Sequence, residues 1–185
     1  MDKKTLRKHY TELRETLSEE LIDDMSLEIA NQLIQLPIWD LTYYHLFLPI
    51  QKKKEINTQY ILSIIQGKDK EVLVPKVEQE GLKHFLLLES TVLSVNSWGI
   101  PEPVEGIEVN PKKIDLVFVP LLAFDSKGHR IGYGKGMYDG FLAQCREDVI
   151  KVGLSLFEAE DHFAEVFSTD IPLDYCITPK KVYKF

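Results

Sequence analysis

The segment GHRIGYGKGMYDGFL, residues 128–142, gathers the side chains of this sequence that are best spaced to do chemistry. Gly132, Gly134 and Gly136 alternate with Tyr133 and Lys135, Arg130 precedes them and Asp139 follows. Glycine adopts positive φ freely and has no Cβ to hold a ligand off the backbone. Several N–H groups in such a run can therefore converge on one anion. Arg130 can fork two oxygens, whereas Lys135 is a mobile point charge. A helix starting near Gly136 would aim the positive end of its dipole at the same place. The combination suits a chain of phosphates. Asp139 is out of place there unless a cation lies between; Mg2+ commonly takes one or two carboxylates plus substrate phosphate oxygens. An acid that merely complements the helix dipole is the plainer reading, and the segment alone leaves the two level. The spacing matches neither the Walker A loop nor the G-x-G-x-x-G fingerprint. Without its charges the run would read as a tight strand-to-helix turn.

Such a loop must be carried by a frame. Leu6, Tyr10, Leu13 and Leu17 recur at helical spacing over residues 3–17. At roughly 100° per residue, Lys3, Arg7 and Arg14 fall within about 40° of one another and border that apolar stripe. Ser18 reads as the N-cap of a second helix with Leu21, Ile22, Met25, Ile29 and Leu33 inward, ended by Pro37. TYYHLFLP, EVLVPK, LKHFLLL, IDLVFVP and VIKVGLS read as strands. Helices are expected at 58–66, at 136–147 and near 158–167, while NSWGIPEPVEG is broken by its prolines and glycines. Strands alternating with helices predict an α/β fold: a three-layer sandwich on a mainly parallel sheet. Residues 1–185 form one domain on this reading, with no repeat or linker.

The chain has 185 residues, 44% of them hydrophobic, enough for a full core. A net charge of −7 argues against a general nucleic-acid binder. Cys145 and Cys176 show no metal spacing and fit a reducing compartment. The polar start lacks the apolar stretch of a signal peptide, and no run approaches a membrane span. A cytoplasmic monomer without nucleic-acid or membrane partners is expected.

RIGYGKGMYDGFL resembles the signature of the 5-formyltetrahydrofolate cyclo-ligase family, approximately R-[LI]-G-x-G-x-G-[YF]-Y-D-x-[FY]-L. KKTLRKHYTELRETLS, EINT, VPKV, WGIPEP, DLVFVPLLAFDSKGHR and DIPLDYCIT are similar to further family segments in family order. Met137 departs from the family's usual tyrosine or phenylalanine, though methionine also packs on flat rings. The resemblance implies an open fold like that of sugar-phosphate isomerases and CoA-transferases. It implies an enzyme that turns ATP and 5-formyltetrahydrofolate into 5,10-methenyltetrahydrofolate, ADP and phosphate with Mg2+. Carried over residue by residue, Lys3, Lys4 and Arg7 would contact ATP, and Arg130, Ile131, Gly132, Tyr133, Gly134, Lys135, Gly136, Met137 and Tyr138 would form its loop. Arg130 and Lys135 would be catalytic, and Asp139 and Asp174 would hold the metal. The stretch from Tyr133 to Met137, with Ile50, Glu55 and Asn57, would border the folate.

Other residues carry two readings each. Trp98 can stack on a flat ring or anchor its loop, and Glu102 can contact the pterin or cap that loop. Lys76 can meet an anion or solvent; His129 and Asp125 read as turn residues. Lys52 to Lys54 read as a solvated loop able to attract polyglutamate tails, and YYHLF reads as core. A phosphosugar isomerase and a non-catalytic nucleotide sensor are the alternatives.

Overall fold

The computed structural model describes residues 2–163 and 165–185. Helix α1 (Lys3–Glu15) starts at Asp2, whose carboxylate accepts the Thr5 N–H at 2.7 Å, and buries Lys3, Leu6, Tyr10 and Arg14. Helix α2 (Glu19–Ile34) is capped by Ser18 as expected. It buries Ile22, Ile29 and Leu33, whereas Leu21, expected inward, is 44% exposed. Leu21 lies about 100° round the helix from Ile22, and only one of two such neighbours can face the core. β1 (Tyr43–His45), α3 (Gln59–Gly67), β2 (Glu71–Glu78), β3 (Gly81–Leu86), β4 (Leu93–Val95), β5 (Pro101–Pro103) and β6 (Leu116–Pro120) follow. Then come β7 (Ala123–Phe124), β8 (Arg130–Ile131), α4 (Met137–Leu142), β9 (Ile150–Leu154), β10 (Tyr175–Ile177) and β11 (Val182–Lys184).

Seven strands form one sheet in the order β11-β10-β9-β6-β1-β2-β3. The inner five run parallel, and β11 and β3 pair antiparallel at the two edges. The expected α/β architecture is thus observed. β6 sits in the middle, so both its faces are covered: Leu116 and Phe118 join the core under α2 and α3, and Val117 and Val119 join the core under α4. That explains its unbroken apolar run. α1 packs apart from the sheet, with Leu6 and Tyr10 against Leu122, Ala123, Ile131 and Phe163.

Three boundaries differ from the sequence expectation. β5 falls inside the proline-rich stretch, paired with β4 in a separate two-stranded sheet. α4 ends at Leu142 rather than near residue 147, and Arg146 beyond it is held by Asp115 and Asp148 at 2.9 and 3.0 Å. No helix occupies the described part of 158–167. There Glu160 pairs its backbone with Phe124 and Ser126, and its carboxylate accepts the Tyr10 hydroxyl at 2.6 Å. These long-range bonds outcompete a weak helical pattern.

His45 and His84 lie buried between the sheet and α4, their rings 5.0 Å apart, with His84 stacked on Phe141 at 3.9 Å. Burial pushes the His84 pKa down to about 4 and that of His45 well below its ordinary 6.5. Both are neutral bases in the fold, so the unfolded chain takes up protons first. The His84 contribution is complete above pH 6.5 and is lost as pH falls toward 4, on the order of 3 kcal/mol, and that of His45 is lost in the same direction. Urea unfolding across this window should show a steeper loss of stability for the parent protein than for His84→Phe. Equal slopes would remove His84 from the acid response.

Candidate active site

The parallel strands β1 and β6 end at one cavity of about 890 Å³. Crevices at the carboxyl ends of such strands are the usual ligand sites of open α/β sheets. Phe47, Leu48 and Ile50 from the turn after β1, with Pro75, Val77 and Leu82 from β2 and β3, make an apolar wall. Lys3 and Arg7 of α1, the glycine loop from Arg130 to Gly140 and the segment Phe167–Ile171 make a polar one. Trp98 and Ile100 close the remaining side.

The loop is set by its backbone. Gly134 and Gly136 have φ of +90° and +65°, a region that side-chain-bearing residues rarely adopt. A Cβ added at Gly132 or Gly136 would meet nothing within 4 Å, leaving the chain bare toward the cavity. At Gly134 the Cβ would lie 3.1 Å from Cζ of Arg7, so there the bare backbone makes room for a guanidinium. Arg7 holds that position by donating its Nε–H to the Gly132 carbonyl at 2.9 Å.

Arg14, which shares the helical stripe of Lys3 and Arg7, is buried and spent inside the protein. Its Nη1 donates to the Tyr133 hydroxyl at 2.9 Å and its Nη2 to the Leu121 carbonyl. Tyr133 in turn donates to Glu55 Oε1 at 2.6 Å, and Glu55 Oε2 accepts the Ile50 N–H at 2.7 Å. The chain of bonds ties α1, the loop and residues 50–55 together. Burial, then the Glu55 charge, pushes the Tyr133 phenol well up, so it stays protonated and donates.

Arg130 also has structural work. Its Nη2 pairs with Asp139 Oδ1 at 2.7 Å and its Nη1 donates to the Ile171 carbonyl, while Ile171 N–H donates to the same Asp139 oxygen at 3.1 Å. The recorded bonds of Asp139 therefore fall on Oδ1, and its side chain, 30% exposed, lines the cavity. That fits a carboxylate able to share a metal ion with phosphate oxygens. Asp174 does not fit. It stands just before β10, at the opposite end of the parallel strands, and binds the Lys151 N–H and ammonium at 2.7 and 2.8 Å. The acid at the cavity is Asp170, four residues earlier, which holds Lys3 at 2.6 Å. Burial raises the Asp170 carboxyl, but the bonds from Lys3 and the Phe167 N–H, with the Lys3 and Arg130 charges, hold it below its ordinary value. No cluster of three metal-holding side chains occurs among the described residues.

The remaining expected residues divide. Lys3, Arg7, Ile50, Glu55, Trp98, Lys135, Met137 and Tyr138 all line the cavity. Lys4 points to solvent, Ile131 is buried beneath the loop, and Asn57 is bound to Asp23 and Gln59 at 2.8 and 3.0 Å; none of the three lines the cavity. Lys76 donates to the Val104 carbonyl at 3.0 Å and Glu102 accepts the Val77 N–H at 2.8 Å, so both are structural. Asp125 is the turn former expected and, buried, also holds His129 and the Phe163 N–H. Lys54 caps the end of α1 through the carbonyls of Glu15 and Leu17. Sequence reasoning missed Asp170 and Phe167–Thr169; the only signal was the first acid of DIPLD.

Fold and cavity together define an α/β enzyme with a glycine-and-cation cradle at the carboxyl ends of its parallel strands. A family model described as the 5-formyltetrahydrofolate cyclo-ligase family matches residues 1–178, and the chain belongs to that family, a family of ligases. It is 30% identical over 184 residues to a probable 5-formyltetrahydrofolate cyclo-ligase of Schizosaccharomyces pombe, covering 91% of this chain and 90% of the relative. It is 37% identical over 108 residues to the Haemophilus influenzae 5-formyltetrahydrofolate cyclo-ligase, covering 55% and 57% of the two chains. The NMR structure of Aquifex aeolicus 5,10-methenyltetrahydrofolate synthetase superposes with a TM-score of 0.79 at 34% identity, covering 100% of this chain and 93% of that one. A Mycoplasma pneumoniae 5,10-methenyltetrahydrofolate synthetase at 24% identity shares the fold, with a TM-score of 0.76 over 97% and 99% of the chains.

Proposed function

We propose that this chain converts 5-formyltetrahydrofolate to 5,10-methenyltetrahydrofolate, using ATP and releasing ADP and phosphate. One observation carries the reading: four cations, Lys3, Arg7, Arg130 and Lys135, and the bare glycine loop face an apolar, aromatic wall across one cavity. The volume is near the upper end of the roughly 300–1,000 Å³ typical of small-molecule sites, as suits two substrates side by side.

An amide-like formyl oxygen is a poor leaving group. Transfer of the γ-phosphoryl group to that oxygen, with ADP leaving, makes a good one; N10 then attacks the N5 iminium carbon, gives up its proton to the departing phosphate, and the carbon–oxygen bond breaks. No protein nucleophile is needed. The protein's task is to align the reacting oxygens and neutralise charge as it develops. The open N–H groups of residues 132–136 and Arg7 cradle the phosphates, and Lys135 follows the moving charge. Arg130, fixed by Asp139 and Ile171, keeps a rigid cation beside them. Ile50, Met137 and Trp98 offer surfaces to the flat folate rings, and Glu55, held by Tyr133, borders them. Mg2+ would be held by Asp139, with Asp170 as the second acid in reach of the cavity, and would supply charge neutralisation at the phosphates.

Compartment and assembly complete the reading. Cys145 and Cys176 are free thiols, and no helix among the described residues is long and apolar enough to cross a membrane. We place the protein in the cytoplasm as a monomer without nucleic-acid partners.

Purified protein given 5-formyltetrahydrofolate, ATP and Mg2+ should form the near-UV-absorbing methenyl product, and should form none when ATP is withheld. Nucleotide binding without turnover would instead indicate a sensor, and sugar-phosphate isomerisation without ATP would overturn the ligase reading.

A further inference from the structure

Of the aromatic rings that line the cavity, those of Trp98, Tyr133 and Phe167 each carry a lysine ammonium on one face. Lys135 Nζ lies 3.4 Å from the Trp98 ring centroid, Lys53 Nζ 3.9 Å from that of Tyr133 and Lys3 Nζ 4.1 Å from that of Phe167. A cation over an aromatic face is held by the ring quadrupole. It also occupies the face on which a flat ligand would stack.

Lys135 and Trp98 are the pair best placed to change partners. Lys135 stands between Gly134 and Gly136, at φ of +90° and +65°, and among the described residues it has no carboxylate partner. Trp98 is 46% exposed and sits on a firm perch. Asn96 Oδ1 accepts the N–H groups of Trp98 and Ile100 at 2.9 and 3.0 Å, and the turn closes through Gly99 N–H to the Asn96 carbonyl at 3.0 Å. The backbone that carries the indole is therefore fixed, while no hydrogen bond among the described residues holds the Lys135 ammonium.

We propose that Lys135 is a latch on Trp98, released by the phosphate chain of the nucleotide. This rests on the functional reading above. A polyphosphate attracts the ammonium more strongly than the indole does. When Lys135 swings to it, the indole face opens to the folate ring. Nucleotide binding thereby favours folate binding, and by linkage folate favours nucleotide to the same degree. The expected coupling is the fold-change of one cation–π contact, roughly 5-fold.

Trp39 is the only other tryptophan, is buried, and stacks on Tyr44 away from the cavity, so Trp39→Phe isolates the Trp98 emission. In that variant a non-hydrolysable ATP analogue should change the emission of Trp98 and raise its quenching by acrylamide. Calorimetry on the parent protein should show 5-formyltetrahydrofolate binding about 5-fold tighter with saturating analogue. In Lys135→Met the folate should bind equally well with and without saturating analogue. An unaltered Trp98 signal at saturation, or coupling of the parental size in Lys135→Met, would overturn the latch while leaving the ligase reading intact. Binding of neither ligand would overturn the ligase reading and the latch with it.

Discussion

Gly134→Val is expected to lower turnover by about 10²- to 10³-fold and to weaken ATP binding in a protein that still folds. Two effects combine. A φ of +90° is costly for any L side chain and worst for a β-branched one, roughly 1–3 kcal/mol of local strain. The new Cβ would also lie 3.1 Å from Cζ and 3.2 Å from Nε of Arg7. Sequence alone suggests that bulk at residue 134 would block the phosphates directly; the structure puts Arg7 in that place. The two routes separate in a double-mutant cycle. If valine acts by evicting Arg7, it should cost much less in an Arg7→Met background, because the displaced group is already gone. An unchanged cost in that background would restore direct blockage. Wild-type ATP affinity in folded Gly134→Val would remove the loop from the nucleotide site altogether.

Asp139→Asn should raise the Mg2+ concentration needed for half-maximal turnover by at least the ~10-fold that follows loss of a supporting metal contact. The amide oxygen can still accept from Arg130 and from the Ile171 N–H, so the thermal midpoint should move little. Asp170→Asn should act in the same direction, and it also releases Lys3. Asp174→Asn is the contrasting case. It removes only the charge paired with the Lys151 ammonium at the far end of the strands, so the Mg2+ profile should be unchanged. A Mg2+ profile that is normal in Asp139→Asn and Asp170→Asn but shifted in Asp174→Asn would reverse this assignment.

Much of the protein is legible in its residues because the determinants are contiguous. The cap Ser18, the stripes of α1 and α2, the double-faced run of β6 and the glycines around Lys135 act over a few residues. Each states its local conformation whatever surrounds it. The α/β class and the conformation of the glycine loop follow from these, and every residue of 130–140 except Ile131 lines the cavity.

What the loop is held against depends on the folded chain alone. Lys3 meets Asp170 across 167 positions, Arg7 meets Gly132 across 125, and Tyr133 meets Glu55 across 78. No periodicity records such pairings, because they arise when packing brings distant elements within hydrogen-bond range. Arg14 and Arg7 share a helical stripe, yet one is buried on Tyr133 and the other faces the cavity. Asp170 and Asp174 share one short motif, and the chain crossing from one end of the sheet to the other decides which acid reaches the site. Sequence set the chemistry available; the tertiary structure chose which of those groups meet, since proximity in space is fixed by the sum of all the packing rather than by any one segment.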